Sequence, residues 1–150
     1  MATSTLLQYL EGTDGEGNAF KTLNISNRRQ IETFIAAGNI SQYDAVSFDF
    51  SQSTDGAMVL HVVQGSNGAT NGCCIGIAQS QAKAGQNVDV VIAGITEANV
   101  EGATVQGDTL YLNASGQLAV YAAAVEMPIV AIATEADTAN IATVVFLKQF

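Results

Sequence analysis

From residue 43 onward, apolar and polar residues alternate in short stretches, which is the pattern of strands with one buried face. Val46, Phe48 and Phe50, for example, alternate with Ser47 and Asp49. Turn signals such as Asp-Gly and Asn-Ala-Ser-Gly separate these stretches at intervals of about 8–12 residues, as in barrels and sandwiches. The pattern predicts a mainly β chain, a small β-barrel or sandwich of about 8–10 short strands.

Part of this pattern occurs twice. Residues 76–94 align on residues 131–149 without a gap at an offset of 55, and DAVSF at 44–48 aligns on DTLYL at 108–112 at an offset of 64. We interpret this as two related strand-turn-strand units. The predicted units are residues 43–95 and residues 107–148. Most matching positions are apolar, so chance similarity between strands is the alternative explanation.

The pattern before residue 43 is different and predicts one helix over residues 26–38. Ser26 suits the N-cap, and Gly38 suits the position that ends a helix. The apolar face of this helix would comprise Ile31, Phe34 and Ile35. We expect Phe34 to be a core residue. The helix would belong to a single β-rich domain, residues 21–150.

Residues 1–20 are predicted to form an extended N-terminal arm. An apolar, β-favouring stretch, TSTLLQYL, is followed by the acidic, glycine-rich loop EGTDGEGN. An apolar segment tethered by such a loop is expected to pack on its own domain or on a neighbour. The arm residues expected to make this contact are Leu6, Leu7, Tyr9 and Leu10.

Charge excludes some partners. Fourteen acidic against five basic residues give a net charge of −9, which phosphate backbones repel, so nucleic-acid binding is not expected. The one basic cluster, Lys21, Arg28 and Arg29, would face an acidic partner or simply be the solvated start of the helix. Only 13% of residues are charged, which suits broad contact with other subunits; a compact monomer with a bland surface is the alternative. Neither a membrane span nor a signal peptide is predicted, so synthesis in a cytoplasm is expected.

The residues that usually carry chemistry are sparse. His61 is the only histidine, and no spaced cysteine pair, Gly-x-Ser-x-Gly element or phosphate-binding loop occurs. Cys73 and Cys74 are adjacent, and we expect two reduced thiols, at least one of them buried and inert. The acidic loop at 14–18 lacks the terminal glutamate of a calcium loop. We therefore expect no enzyme activity, no cofactor and no metal.

Four short motifs follow one another in the second half. They are GDTLYL at 107–112, SGQL at 115–118, PIVAIA at 128–133 and IATVVFL at 141–147. In this order they resemble the capsid decoration, or cement, proteins of tailed bacteriophages. IGIA at 75–78 followed by VDVV at 88–91 is similar to part of smaller head-decoration proteins. The resemblance covers about residues 43–149; the arm, the predicted helix and the Cys73–Cys74 pair lie outside it or depart from it.

The resemblance implies a β-barrel-like structural protein that assembles on the outer surface of an icosahedral head. It implies homotrimers that bridge capsomers, and an N-terminal arm that reaches the major capsid protein. Three alternatives stay open: a tail or head-fibre-base protein, a carbohydrate-binding module that uses Tyr111 and Tyr121, and a trimeric β-rich nucleotide hydrolase.

Overall fold

The computed structural model describes residues 29–67, 73–122 and 127–148. Within these ranges the chain forms nine strands and one short helix, so the prediction of a mainly β chain is confirmed. The strands are β1 Arg29–Ala36, β2 Ala45–Phe48, β3 His61–Gln64, β4 Cys74–Ala78, β5 Asn87–Glu101, β6 Thr109–Leu112, β7 Leu118–Val120, β8 Ile129–Ala133 and β9 Ile141–Phe146. The helix is α1 Asp55–Leu60.

Strand β5 takes part in two closed rings of five strands. In the first ring β1 pairs with β3, β3 with β2, β2 with β4 and β4 with β5, and β5 returns to β1. In the second ring β5 pairs with β7, β7 with β6, β6 with β8 and β8 with β9, and β9 returns to β5. Gly94, with a φ of +103°, is the β5 residue that pairs with both β1 and β9. Glycine adopts this positive φ readily and other residues rarely do, so a glycine occupies the position where β5 passes from one ring to the other.

The two rings repeat one pattern of pairing. The β1–β3 and β5–β7 pairs are parallel, and all other pairs are antiparallel. The bulge between β2 and β4 follows Val46, and the bulge between β6 and β8 follows Leu110, at the offset of 64 seen in the sequence. The pattern starts at β1, upstream of the repeat that the sequence shows.

The ungapped sequence alignment is one residue out of step at the last strand. In the first ring Ala78 pairs with Val90, and in the second Ala133 pairs with Val144. Val90 therefore corresponds to Val144, at an offset of 54, and not to Val145. Both positions carry valine, so side-chain type could not reveal the shift.

The predicted helix at 26–38 is wrong, because residues 29–36 form strand β1. The helical spacing of Ile31, Phe34 and Ile35 is incidental: Phe34 and Ala36 are buried, whereas Ile31 is exposed. The expectation that Phe34 is a core residue holds. Seven residues of β1 pair with β5, and these backbone hydrogen bonds, together with β-branched side chains, outweigh a helical pattern about two turns long.

The segment after β2 also differs from its prediction. The Asp55-Gly56 pair and the apolar run after it predict a hairpin turn followed by a return strand over 57–64. Instead Asp55 and Gly56 begin helix α1, and only His61–Gln64 forms a strand, β3. The apolar run AMVL fits a short helix or a strand equally well, since periodicity cannot distinguish them over so few residues.

Two clusters of buried apolar residues form the core. One cluster consists of residues from β1 to the first half of β5, among them Phe34, Val62 and Ile75. The other fills the second ring and also includes Ala45, Cys74 and Ile77 from the first half of the chain. Strand β4 is buried at all five positions because it faces both clusters. This continuous packing holds the rings against each other.

Candidate interaction surface

The link between β6 and β7 in the second ring is a tight turn. The Asn113 N–H donates to the Gln117 carbonyl at 2.9 Å, and Asn113 Oδ1 accepts the N–H groups of Ser115 and Gln117 at 2.8 and 3.0 Å. The first ring covers this turn: the Ala45 N–H donates to the Gly116 carbonyl at 2.8 Å, and Gln64 Nε2 donates to the Ser115 carbonyl at 3.0 Å.

The corresponding link between β2 and β3 begins in the same way but is eight residues longer. The Asp49 N–H donates to the His61 carbonyl at 2.9 Å, and Asp49 Oδ1 accepts the Ser51 N–H at 3.0 Å. Eleven residues, 50–60, lie between this closing pair, against three between Asn113 and Gln117. We call residues 50–60 the α1 loop.

The α1 loop exposes three large apolar side chains. Val59 is 54% exposed, Leu60 52% and Phe50 43%. Phe50 and Leu60 directly follow and precede the bonded pair Asp49 and His61, so both belong to the base of the loop. We call these three residues the α1 patch. Exposed apolar clusters of this kind mark interaction sites more often than isolated exposed residues do.

A row of aromatic rings joins the α1 patch to the core. The Phe50 ring meets the Phe48 ring edge-on at 6.4 Å, and Phe48 meets the buried Phe34 at 6.1 Å. Edge-to-face contacts at these separations are favourable. Phe50 is therefore positioned by packing, although its outer side faces solvent.

Hydrogen bonds hold the base of the α1 loop. Ser51 Oγ and Gln52 Nε2 both donate to the buried Asp49 carboxylate at 2.6 Å, and these bonds hold its pKa below the usual value. His61 Nδ1 lies 2.7 Å from the Ala57 carbonyl oxygen, so this nitrogen carries the proton and donates. His61 thus closes the C-terminal end of α1, a structural role.

Of the predicted basic cluster, the structure describes only Arg29. Its guanidinium Nη1 donates to Gln79 Oε1 at 3.4 Å, and it lines an open depression of about 470 Å³ together with Tyr43 and Glu97. The Glu97 side chain accepts a hydrogen bond from the Tyr43 phenol, which raises the pKa of that phenol. Arg29 therefore borders a surface that also carries a carboxylate.

Lys21, Arg28 and the arm residues Leu6, Leu7, Tyr9 and Leu10 lie outside the described residues. Tyr111 is opposite Ala119, and the Tyr121 N–H bonds to the Thr109 carbonyl, so the two tyrosines are two pair positions apart on the hairpin.

The two cysteines differ in exposure. Cys73 is exposed and Cys74 is buried, and both are free thiols. Burial raises the pKa of Cys74 to about 12, so this thiol is inert at neutral pH, as expected from its apolar surroundings. Within the described ranges, no three His, Cys, Asp or Glu side chains are grouped so as to hold a metal ion. In the same ranges, no helix has the length and apolar character needed to cross a membrane.

Sequence reasoning missed the α1 patch. The available signal was the length of the link: the two halves align at an offset of 64 before it and 55 after β4, so the first half carries extra residues. The run AMVL lies within that excess, but an apolar run in a β protein is more readily interpreted as a strand than as an exposed surface.

Comparison with known proteins identifies the family. The family model described as phage cement protein matches residues 25–148, which is most of the chain. The chain belongs to the phage cement protein family. This confirms the resemblance found in the sequence and makes the chain a structural protein of a phage particle. No curated protein matches it.

Among solved structures, this cement protein is similar to the head fiber gp8.5 N base of bacteriophage phi29. The TM-score is 0.58 and the sequence identity 17%, and the match covers 80% of this chain and 95% of the phi29 chain. At this identity the similarity shows a shared fold and nothing more. The assignment to structural proteins of phage particles therefore rests on the family match.

Proposed function

We propose that this cement protein binds the outer surface of a phage capsid as a homotrimer and stabilises the shell by bridging neighbouring capsomers. The observation that carries the proposal is the family match over residues 25–148. The two closed five-stranded rings support a compact, barrel-like building block. Its working part is a surface, as the exposed apolar α1 patch indicates.

Packed DNA presses outward on the capsid shell. The proposed stabilisation comes from the additional surface area that the bound protein buries at the junctions between capsomers. Apolar contact contributes about 25 cal/mol for each Å² removed from water. A trimer that binds several capsomers at once gains further from multivalency. The low share of charged residues, 13%, limits the desolvation cost of such contacts.

The proposed contact with the major capsid protein is the N-terminal arm, through Leu6, Leu7, Tyr9 and Leu10, which add as a strand or fill apolar pockets. Lys21, Arg28 and Arg29 would then face acidic groups of the partner. The chain itself has a net charge of −9, so this contact does not depend on general electrostatic attraction to an acidic surface.

The test is cosedimentation of purified protein with heads that lack it. The full chain should bind, and a chain without residues 1–10 should stay folded by circular dichroism but lose binding. Leu6→Asp with Leu10→Asp should act like the deletion, whereas Thr3→Asp with Gln8→Asp adds the same charge at polar positions and should bind. Full binding by the deletion variant would remove the arm from the mechanism.

The similarity to a head fiber base favours a second candidate, a base on which a fibre stands. Copy number separates the two roles. A shell-stabilising protein is present at every equivalent capsomer junction, whereas a fibre base is present once for each fibre. Quantitative mass spectrometry of purified virions, with the major capsid protein as the internal standard, measures this ratio.

A further inference from the structure

The α1 loop is an addition to a fold that closes without it. The second ring makes the same pair of strands, β6 and β7, with a three-residue link and the same Asx hydrogen bonds at its start. Comparison of the two links shows that the eight extra residues of the β2–β3 link are not needed to join the strands. What they add is the exposed α1 patch.

The environment of the two links also differs. The second ring's turn is covered by the first ring, through Ala45, Gln64 and the N–H of Asn67, which donates to the Asn113 carbonyl at 3.1 Å. Among the residues that the structure describes, no second ring covers the first ring's link, and there the sequence places apolar side chains. A position that packs against a neighbouring unit in one half thus carries exposed apolar side chains in the other.

Charge favours another copy of this chain as the occupant. Copies with a net charge of −9 repel each other, so self-association requires a surface with few acids. Asp55 is the only charged residue among residues 50–60. Asp49 precedes Phe50, but its carboxylate is buried and accepts hydrogen bonds from Ser51 and Gln52. Two other exposed apolar residues have an acid beside them: Glu32 adjoins Ile31, and the Asp108 carboxylate accepts the Val105 N–H at 2.9 Å.

From these observations we infer that the α1 patch, Phe50, Val59 and Leu60, is the surface through which copies of this chain associate with one another. The inference deepens the proposed function, on which it rests, by assigning the contact that builds the oligomer. Apolar side chains from each copy would meet at this patch, whereas the proposed capsid contact uses other residues, those of the arm. A closed ring of three copies satisfies this arrangement without leaving a patch exposed.

The test measures mass in solution by sedimentation velocity over a range of concentrations. The full chain should be a trimer. Val59→Asp with Leu60→Asp would bury unpaired carboxylates, and the association midpoint should rise at least about 100-fold, because such burial costs several kcal/mol. Val105→Asp is the matched control: Val105 is 57% exposed but lies in the second half, so this variant should remain trimeric.

A chimera removes the concern that the charged variant misfolds. Replacing residues 50–60 with Ala-Ser-Gly, the link of the second ring, should give a folded monomer with a cooperative unfolding transition. A monomeric full chain, or a trimer that survives both changes, would overturn the inference. If the trimer persists while head binding is lost, the α1 patch meets the capsid, and the self-contact is likewise overturned.

Head binding by the same samples separates this result from the proposed function. A full chain that coats heads as a monomer refutes the self-contact but leaves capsid attachment standing. A trimer that depends on the α1 patch but never binds heads supports the self-contact and refutes capsid attachment.

Discussion

Asp49 and Asn113 accept equivalent backbone hydrogen bonds in the two rings. Each follows the strand that leads into the link, β2 or β6, and each accepts the N–H of the residue two positions later, Ser51 or Ser115. The difference is charge: the carboxylate also receives the Ser51 hydroxyl and the Gln52 amide, whereas Asn113 Nδ2 donates to Glu101 Oε2 at 2.5 Å. One backbone task is thus done by an acid in one half and by an amide in the other.

Asp49→Asn should therefore leave the fold intact and change how stability depends on pH. The amide keeps the bond from the Ser51 N–H, as Asn113 does in its own ring. It loses the stronger bonds that a charged acceptor receives, at a cost of about 1 kcal/mol at pH 7. The cause of the lowered pKa of Asp49, its bonds from Ser51 and Gln52, is also the source of that stability.

The direction in which stability changes with pH follows from the direction of this pKa shift. Because the pKa of Asp49 is lower in the folded chain, its contribution is complete above the unfolded value of about 3.9 and is lost as pH falls through the folded value. Urea unfolding of both proteins between pH 7 and pH 2 tests this. The difference in free energy of unfolding should shrink below about pH 4. A difference of constant size would show that the carboxylate charge contributes nothing.

Tyr43 and Gly107 form another corresponding pair, and the tyrosine has the unusual backbone. Its φ is +67° where Gly107 has +92°, and the N–H groups of both residues bond to equivalent carbonyls, those of Ala78 and Ala133. Left-handed backbone costs a residue with a Cβ about 1–2 kcal/mol. We expect Tyr43→Gly to be more stable than Tyr43→Ala by about 1 kcal/mol, because both lose the ring but only glycine is relieved of the cost.

Gln42 offers the control for this comparison. It lies next to Tyr43 and is exposed, and it is not among the residues with positive φ. At position 42 the alanine variant should be as stable as the glycine variant or more stable, since alanine is favoured over glycine where φ is negative. Thermal or urea midpoints of the four variants give the ranking. Alanine more stable than glycine at position 43 would mean that the backbone there carries no cost.

Much of the β architecture could be predicted because apolar and polar residues alternate along a strand that buries one face. Leu110 and Leu112 alternate with half-buried neighbours in β6, and the apolar run at 129–133 became β8. Strand β1 could not be predicted, since its pairing with β5, more than fifty residues later in the chain, decides its state. The local sequence pattern does not show which distant strand a segment pairs with. The spacing of Ile31, Phe34 and Ile35 therefore favoured a helix where the structure has a strand.

The candidate surface was less predictable than the fold. Exposure is a property of the folded chain, and Val59 and Leu60 have the composition of a buried strand. Only comparison of the two halves, once their pairings are known, shows that the α1 loop is an insertion. The reduced, inert Cys74, by contrast, follows from its apolar neighbours alone.

Thr104 shows what a repeat can reveal about a single buried atom. It is 1% exposed, and its hydroxyl oxygen is a buried side-chain atom with no hydrogen-bond partner in the part of the chain that the structure describes. Its counterpart in the first ring is the buried Ile40: the Ile40 carbonyl accepts the Ala82 N–H, as the Thr104 carbonyl accepts the Asp137 N–H. The position therefore lies in apolar surroundings in one ring and holds an unpaired hydroxyl in the other.

Thr104→Val should raise the free energy of unfolding by about 1 kcal/mol, because it removes the desolvation cost of the hydroxyl and keeps the shape of the side chain. The backbone bond from the Thr104 N–H to the Asp137 carboxylate, 2.8 Å long, is unaffected. Thr143→Val is the matched control, since Thr143 is half-buried and its hydroxyl donates to Glu135; this variant should lose stability or stay unchanged. Urea unfolding at pH 7 measures both changes. A destabilised Thr104→Val would mean that the hydroxyl is satisfied in solution, by water or by local rearrangement.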